Sequence, residues 1–594
     1  MGVDTSQASL GSNHSVKTDR TEKLYHKEQE TDDSWQPSAG AVVKLLLSIR
    51  IAGALWSILR DEDETDHHWE PLHLMLYHKS FPSWKLFPFG SLVDVQCLIL
   101  NYLAFIPALF YSDGLDQSEI AVFTLIRLTI GASCIGAEYY AFHVISNRIN
   151  ISAGRYFLIF SIFSAGMFHA SVTFSLYTVS MICSFFFLGG VLDDKRWLCY
   201  VSCIVSFLLG SWPTVYFFGL TLVASKLWQC TLHKRWIGKY LLLQGTVFLA
   251  IILYRGFHNH LPVYLSTMYP FQSVHEYLSS VKISHHPPTT KLYLLHSLIC
   301  NWNVAALLAL LGPPLGCITC WKFQKQKEIW KKWNDPSPII FLTINSTFWL
   351  TMFVLLGQHE SFLFPLYPNI SLFAAISCDA IPRLWHSKEG DPIVHRSRKP
   401  TTDPFSYRPR NRAHRLVYAL VVFYSICSLV RINTVYQSYG SEMDIFKGFT
   451  EELNSHEDLT RFHKTIMLCH SKASKRFTSS FFFPMHIQDE INVSRLVRKQ
   501  TIETDHIGIL SQSFEEKNQS TLDSCDYVID IDESLAADST CRETSSAQWK
   551  PVLSLPYLNV DRTDTFLSFF SIPFFSSYFG LTHYTTITLY RRVV

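Results

Sequence analysis

The sequence predicts a mainly α-helical, polytopic membrane protein with a small α+β domain at its C-terminal end. Three observations lead there. The chain of 594 residues is 48% hydrophobic, with 44 Phe and 27 Tyr. Several apolar runs reach the roughly 18 residues at which a stretch reads as a transmembrane helix. Residues 433–594 lack such a run and instead show alternating stretches, such as Tyr527-Val528-Ile529-Asp530-Ile531, with the period of a half-buried strand.

Taken in order, residues 1–40 are polar, rich in Ser, Thr and Glu, and carry no signal-peptide core, so a disordered cytosolic tail is expected. Apolar segments follow near 41–59, 94–112, 119–146, 156–170, 172–192, 197–225, 238–254, 291–318, 338–356, 363–381 and 415–432. They amount to ten to twelve crossings, since 119–146 and 197–225 can each hold more than one. Gly210-Ser211-Trp212-Pro213 reads as a helix break inside one of them. The basic loops 226–239, 321–334 and 383–415 are expected in the cytosol by the positive-inside rule. The tip Gln358-His359-Glu360-Ser361, the loop 256–290 and everything after 432 then face the other side. The expected division is a tail over 1–40, a membrane domain over 41–432 with an acidic luminal loop at 60–93, and a luminal domain over 433–594.

The formal net charge is +2, too small to gather nucleic acid by a general field. The 14 cysteines lie mostly in apolar runs and read as small core residues. Cys469, Cys525 and Cys541 are the exceptions, and any two of them could pair in a luminal domain. Of the glycosylation sequons, Asn492 and Asn518 stand where a luminal acceptor is expected. No Cys/His spacing suggests zinc.

The stretch that concentrates charge is Arg60-Asp61-Glu62-Asp63-Glu64-Thr65-Asp66-His67-His68-Trp69-Glu70-Pro71-Leu72-His73. It follows an apolar run with no linker. Crowded carboxylates raise one another's pKa. Such a cluster at a helix mouth suits proton acceptance or cation binding, against the plainer reading of a solvated helix end.

Five motifs in order resemble the dolichol-phosphate-mannose-dependent mannosyltransferases, glycosyltransferase family 22, of GT-C type. They are Asp61-Glu62-Asp63-Glu64-Thr65 with Trp69-Glu70-Pro71-Leu72-His73; Gly166-Met167-Phe168 with Gly210-Ser211-Trp212-Pro213; Glu360-Ser361-Phe362-Leu363-Phe364-Pro365-Leu366-Tyr367-Pro368; Arg476-Phe477 with Ser479-Ser480-Phe481-Phe482-Phe483-Pro484; and Asp526 to Asp530 with Trp549-Lys550-Pro551-Val552. The likeness is greatest to the α-1,2-mannosyltransferases of N-glycan precursor assembly. Departures fall at Lys85, at Val93 where the family has Arg, at Lys291 within a stretch that is G-T-E-P-W in the family, and at Ser361 where H-K-E-E-R has become Gly357-Gln358-His359-Glu360-Ser361. They leave substrate choice and activity open. A GPI-anchor precursor mannosyltransferase and a diverged non-catalytic paralogue remain the alternatives.

The resemblance implies an inverting transfer of mannose from dolichyl phosphate mannose to a dolichyl diphosphate oligosaccharide, at the luminal face of the endoplasmic reticulum membrane. Inversion needs one carboxylate as general base and cationic or hydrogen-bonding groups on the departing phosphate. Asp63 is the expected base and Asp61 the second choice. Glu64, Trp69, Glu70, His73, His359 and Glu360 are the expected substrate contacts. Against these stand plainer readings: Trp69 as an interfacial anchor, the histidines as structural groups, Glu360 as a helix-end charge. The carboxylates could alternatively hold Mg²⁺ or Mn²⁺. The related enzymes are understood to work without metal, so no cofactor is expected.

Overall fold

The computed structural model describes residues 36–59, 64–78, 92–114, 119–210, 218, 291–323, 337–356, 360–386, 412–455, 466–470, 479–482, 491–496, 519–520, 525–531, 549–558 and 584–592. Helices dominate. α1 is Ala39–Trp56, α2 Glu70–Tyr77, α3 Leu92–Gly114 and α4 Glu119–Arg148. α5 spans Ile151–Phe163, α6 Ala165–Ala170, α7 Leu176–Leu192 and α8 Arg196–Leu209. After residue 290 come α9 Lys291–Phe323, α10 Ser337–Leu356, α11 Tyr367–His386, α12 Arg412–Tyr439 and the amphipathic α13 Ser441–Ser455.

Among the described residues five helical stretches are long and apolar enough to cross a membrane: Ala39–Trp56, Glu119–Arg148, Asn301–Trp321, Glu360–Trp385 and Arg412–Gln437. The expected count of ten to twelve is not reached there. Several apolar helices are shorter, and the segment expected at 238–254 lies outside the described residues. The run at 119–146 forms one helix of 30 residues rather than two spans. The run at 197–225 is helical up to Leu209 and leaves the helix at Gly210, where the break was expected.

Small residues and buried charge set how the helices meet. A Cβ on Gly53 of α1 would stand 2.9 Å from the Phe168 carbonyl oxygen, so α1 reaches α6 only because that position is glycine. Gly312 of α9 lies so close to the Phe373 backbone of α11 that a methyl group would collide with it. Ser377 of α11 donates to Leu308 O at 2.6 Å across the same seam. Lipid tails give helices little apolar reason to associate, so close small-residue approach and interhelical hydrogen bonds carry the packing. In the interior, Arg50 of α1 donates to Glu138 of α4 at 2.6 Å and to Met167 O at 3.1 Å, both side chains about 1% exposed. An ion pair so deep ties α1, α4 and α6 together, and removing one partner strands the other.

The C-terminal region is a mixed sheet of strand order β3-β2-β1-β4-β6-β5. Its strands are β1 Ile466–His470, β2 Ile491–Leu496, β3 Gln519–Ser520, β4 Tyr527–Ile531, β5 Trp549–Leu558 and β6 Tyr584–Arg592. β1 pairs in parallel with β2 and β4, while β6 runs antiparallel between β4 and β5. β4 is the strand that the alternation at Tyr527–Ile531 predicts. α13 packs on this sheet, with Phe449 edge-on to Tyr527 and Arg591 paired to Glu452 at 3.3 Å. Cys469 and Cys525 form a disulfide that joins β1 to the residue pair leading into β4. Of the three open pairings the structure thus has this one, and Cys541 lies outside the described residues. Asn492 falls within β2; Asn518 also lies outside the described residues.

Candidate active site

The acidic loop is held at both stems. At the first, α1 ends with Ser57, whose N–H donates to Gly53 O at 2.8 Å. The Ser57 carbonyl accepts from Arg127 Nη1 at 2.6 Å, and its hydroxyl bonds His169 Nδ1 at 2.8 Å. At the second stem, Glu64 is 3% exposed. Its Oε1 accepts two hydrogen bonds at 3.0 Å, from the Trp69 indole N–H and from the Phe174 backbone N–H. A carboxylate with two directed donors is an ordered anion, since bonds to a charged acceptor are the strong ones. Asp61 and Asp63 sit between the stems and lie outside the described residues.

Beyond Glu64 the chain makes a π-helical turn over Thr65–Trp69 and then α2, with Pro71 in its first turn where a missing N–H costs nothing. Single π turns recur at functional sites because they re-aim side chains. Here the turn points Trp69 inward. Its ring packs on Phe123, Phe174 and Phe481 at 4.2, 5.1 and 5.7 Å and is fully buried. Neither ring face is open to a sugar in this arrangement, nor does the side chain lie at an interface.

Glu70 and His73 also reach protein groups. Glu70 Oε1 accepts from Ser480 N at 2.7 Å, and Oε2 from Ser480 Oγ at 2.5 Å, a link across 410 positions of sequence. His73 is fully buried; its Nε2 meets Glu119 Oε2 at 3.2 Å and its ring meets Phe481 edge-on. The short 3-10 turn Ser480–Phe482 is therefore a plug from the C-terminal region into the first loop. Phe482 packs against Phe123, and its carbonyl accepts from Thr450 of α13 at 2.8 Å. Burial next to Glu119 pushes the Tyr77 hydroxyl up to about 12. His68 is driven the other way, down to about 3, first by burial and then by His67. It is a neutral ring at ordinary pH.

Glu360 opens a 3-10 turn, Glu360–Leu366, and its Oε1 takes a short hydrogen bond from Asn301 Nδ2. Asn301 stands just before a break in α9 at Asn303, where φ is 33°. The turn is anchored by Phe362, stacked on Trp349 at 4.3 Å with the Trp349 N–H on its carbonyl at 2.9 Å. Phe362 also meets Tyr177 at 6.0 Å. Tyr177 lies three residues past Phe174, whose N–H holds Glu64. The segment 174–177 thus bridges the two motifs and sets Glu64 and Glu360 at the same end of the helical bundle. His359 lies outside the described residues.

Three groups of this neighbourhood escaped the sequence reading. Ser480 and Phe481 belong to a quoted motif, but their attachment to Glu70 and Trp69 has no local signature. Arg127 carried a signal that was passed over: a charged residue inside an apolar run is a functional candidate by default.

The sequence model of the Alg9-like mannosyltransferase family matches residues 41–484, from α1 to the end of the plug motif. The chain belongs to that family. Among its relatives, the alpha-1,2-mannosyltransferase algn-9 of Caenorhabditis elegans is 32% identical over 96% of this chain and 94% of its own. The alpha-1,2-mannosyltransferase Alg9 of Drosophila melanogaster is 25% identical over 91% of this chain and 85% of its own. The human alpha-1,2-mannosyltransferase ALG9 is 24% identical over 94% and 89%.

Proposed function

We propose that this protein is an α-1,2-mannosyltransferase of N-glycan precursor assembly. It takes mannose from dolichyl phosphate mannose and adds it to a dolichyl diphosphate oligosaccharide at the luminal face of the endoplasmic reticulum membrane. The single observation that carries the reading is collinear family membership over 41–484, together with relatives of that name matching over nearly the whole chain. The GPI-anchor alternative lacks that support.

In the proposed step, Asp63 takes the proton of an acceptor hydroxyl as that oxygen forms its bond to the mannose anomeric carbon. The bond from that carbon to the donor's phosphate oxygen breaks, and its electron pair leaves with the lipid phosphate. A β-linked donor gives an α-linked product. Asp61 is the second candidate for the base. Glu64 orders the exit of the loop, and Glu360 and His359 at the hairpin tip contact sugar hydroxyls. Trp69, Glu70 and His73 act indirectly, as the packed floor on which the loop rests. No metal is assigned a step, since a monophosphate can leave onto cationic side chains. A membrane domain over 41–432 and a luminal domain over 433–594 fit this reading, as does a disulfide at Cys469–Cys525, because disulfides persist in oxidising compartments.

The test is complementation of a cell that lacks its own α-1,2 enzyme, reading the size of the accumulated lipid-linked glycan. Restored elongation supports the proposal. An unchanged truncated glycan with normal protein abundance refutes it and returns the diverged paralogue as the reading.

A further inference from the structure

Arg127 is 1% exposed, within a helix long and apolar enough to span a membrane. Two contacts fix its guanidinium. Nη1 donates to Ser57 O at 2.6 Å, and the group lies over the Phe123 ring at 4.7 Å. Nε and Nη2 have no partner among the described residues. Those two N–H groups form the side-on edge of the guanidinium, whose parallel donors match two oxygens of a phosphate or carboxylate. A buried donor left open is costly, and more so when charged, so an empty fork of this kind calls for a use.

Its surroundings narrow the use. Glu64 lies within electrostatic reach and helps offset the buried charge, but does not take the fork. Among the described residues Arg50 and Arg431 are also buried; Arg50 is committed to Glu138, and Arg431 lies on α12. His68 is neutral and His73 is paired with Glu119. Meanwhile the proposed transfer develops negative charge on a departing phosphate and needs a fixed cation for it. We infer that Arg127 is an anion-binding residue of the active site, its Nε–Nη2 edge taking two oxygens of the lipid phosphate. Ser57 O and Phe123 hold that edge in place beforehand, and this pre-organisation is what makes such a group catalytic. The inference rests on the mannosyltransferase reading for the identity of the anion.

The experiment uses full-length protein in detergent or microsomes. Arg127→Lys keeps the charge and can still reach Ser57 O, but loses the fork; Arg127→Met loses both. Short-chain polyprenyl phosphate, the product head group, is the probe, with the matching polyprenol as neutral control. Arg127→Lys should weaken binding of the phosphate at least tenfold, leave the polyprenol unchanged, and lower transfer by about 10²-fold at normal abundance. Unchanged phosphate affinity in Arg127→Lys overturns the inference, including the case where transfer alone falls, since the fork then serves the loop carboxylates. If Arg127→Met does not accumulate, Arg127→Lys decides. Direct binding separates this outcome from the functional reading: phosphate binding lost in the variant, with no mannose transfer by the wild type, would keep the anion site and reject the donor.

Discussion

His68 shows how the acid response of this fold is built one residue at a time. Its folded pKa, near 3, lies below the ordinary 6.5 of an unfolded histidine. Above 6.5 both states are neutral and the native state loses nothing. As pH falls below 6.5 the unfolded chain binds a proton that the buried ring refuses. Stability should then drop by about 1.4 kcal/mol per pH unit until the folded pKa is reached. His68→Phe should flatten that slope in a thermal melt series between pH 6.5 and 4.5; an unaltered slope would show that another group carries it. Glu70 offers a second test. Ser480→Ala removes one of its two donors and should cost about 1–2 kcal/mol, because a charged acceptor loses a buried partner. Transfer per folded molecule should change little if Glu70 is floor and not substrate contact. A Michaelis constant for the acceptor raised tenfold, with the melting temperature unchanged, would return Glu70 to the substrate. The motif Trp69-Glu70-Pro71 was legible as important from the sequence, yet its role was not. Aromatic and acidic residues in a luminal loop look like sugar contacts. What occupies them is protein: Phe123, Phe174 and Phe481 around Trp69, and Ser480 on Glu70, and nothing near position 70 announces a partner 410 positions away.

At the level of elements, the sequence located most helices, because an apolar run is a local property. It gave less on where helices end and how they meet. The 119–146 run became one long helix, and Arg127 and Glu138 inside it are charges that tertiary partners hold. The α9–α11 seam is such a non-local feature. Gly312→Ala would push a methyl group into the Phe373 backbone, which cannot rotate away. Overpacking of this kind costs about 1–3 kcal/mol. The break at Asn303 lies about two and a half turns earlier in α9 and positions Asn301 against Glu360. Gly312→Ala should therefore lower both detergent melting temperature and transfer, whereas Gly40→Ala, with open space at its Cβ, should alter neither. Equal melting temperatures for Gly312→Ala and wild type would mean that the seam relaxes at no cost. Glu360→Gln isolates the turn itself. As a sugar contact it should lower transfer at constant abundance, and combined with Asp63→Asn it should add little, because a step already lost cannot be lost again. Wild-type transfer in the single variant would remove the turn from the chemistry.

Across the whole molecule, the helical bundle and the C-terminal sheet form one structure through the plug at 480–482, and this joins topology to chemistry. Loop 64–77 touches the plug, which lies between β1 and β2 in the chain, so the loop and the sheet share a side of the membrane. The side is the luminal one if the basic stretches at 226–239, 321–334 and 383–415 are cytosolic. A tag at 400 should then be open to protease in intact microsomes and a tag at 520 protected. The disulfide gives an independent check on the same point. Cys469 and Cys525 are 56 residues apart, and closing a loop of that length is worth on the order of 2–4 kcal/mol. Cys525→Ala should lower the midpoint of sheet unfolding accordingly, and through the plug it should loosen Glu70 and Trp69 as well. Thiol counting by mass-tagging of denatured protein, with and without prior reduction, should differ by two. Free thiols at both positions in protein from intact membranes would place the sheet in a reducing compartment. Because the plug ties that sheet to residues 64–77, the same result would carry the acidic loop to the cytosol and overturn a luminal site altogether.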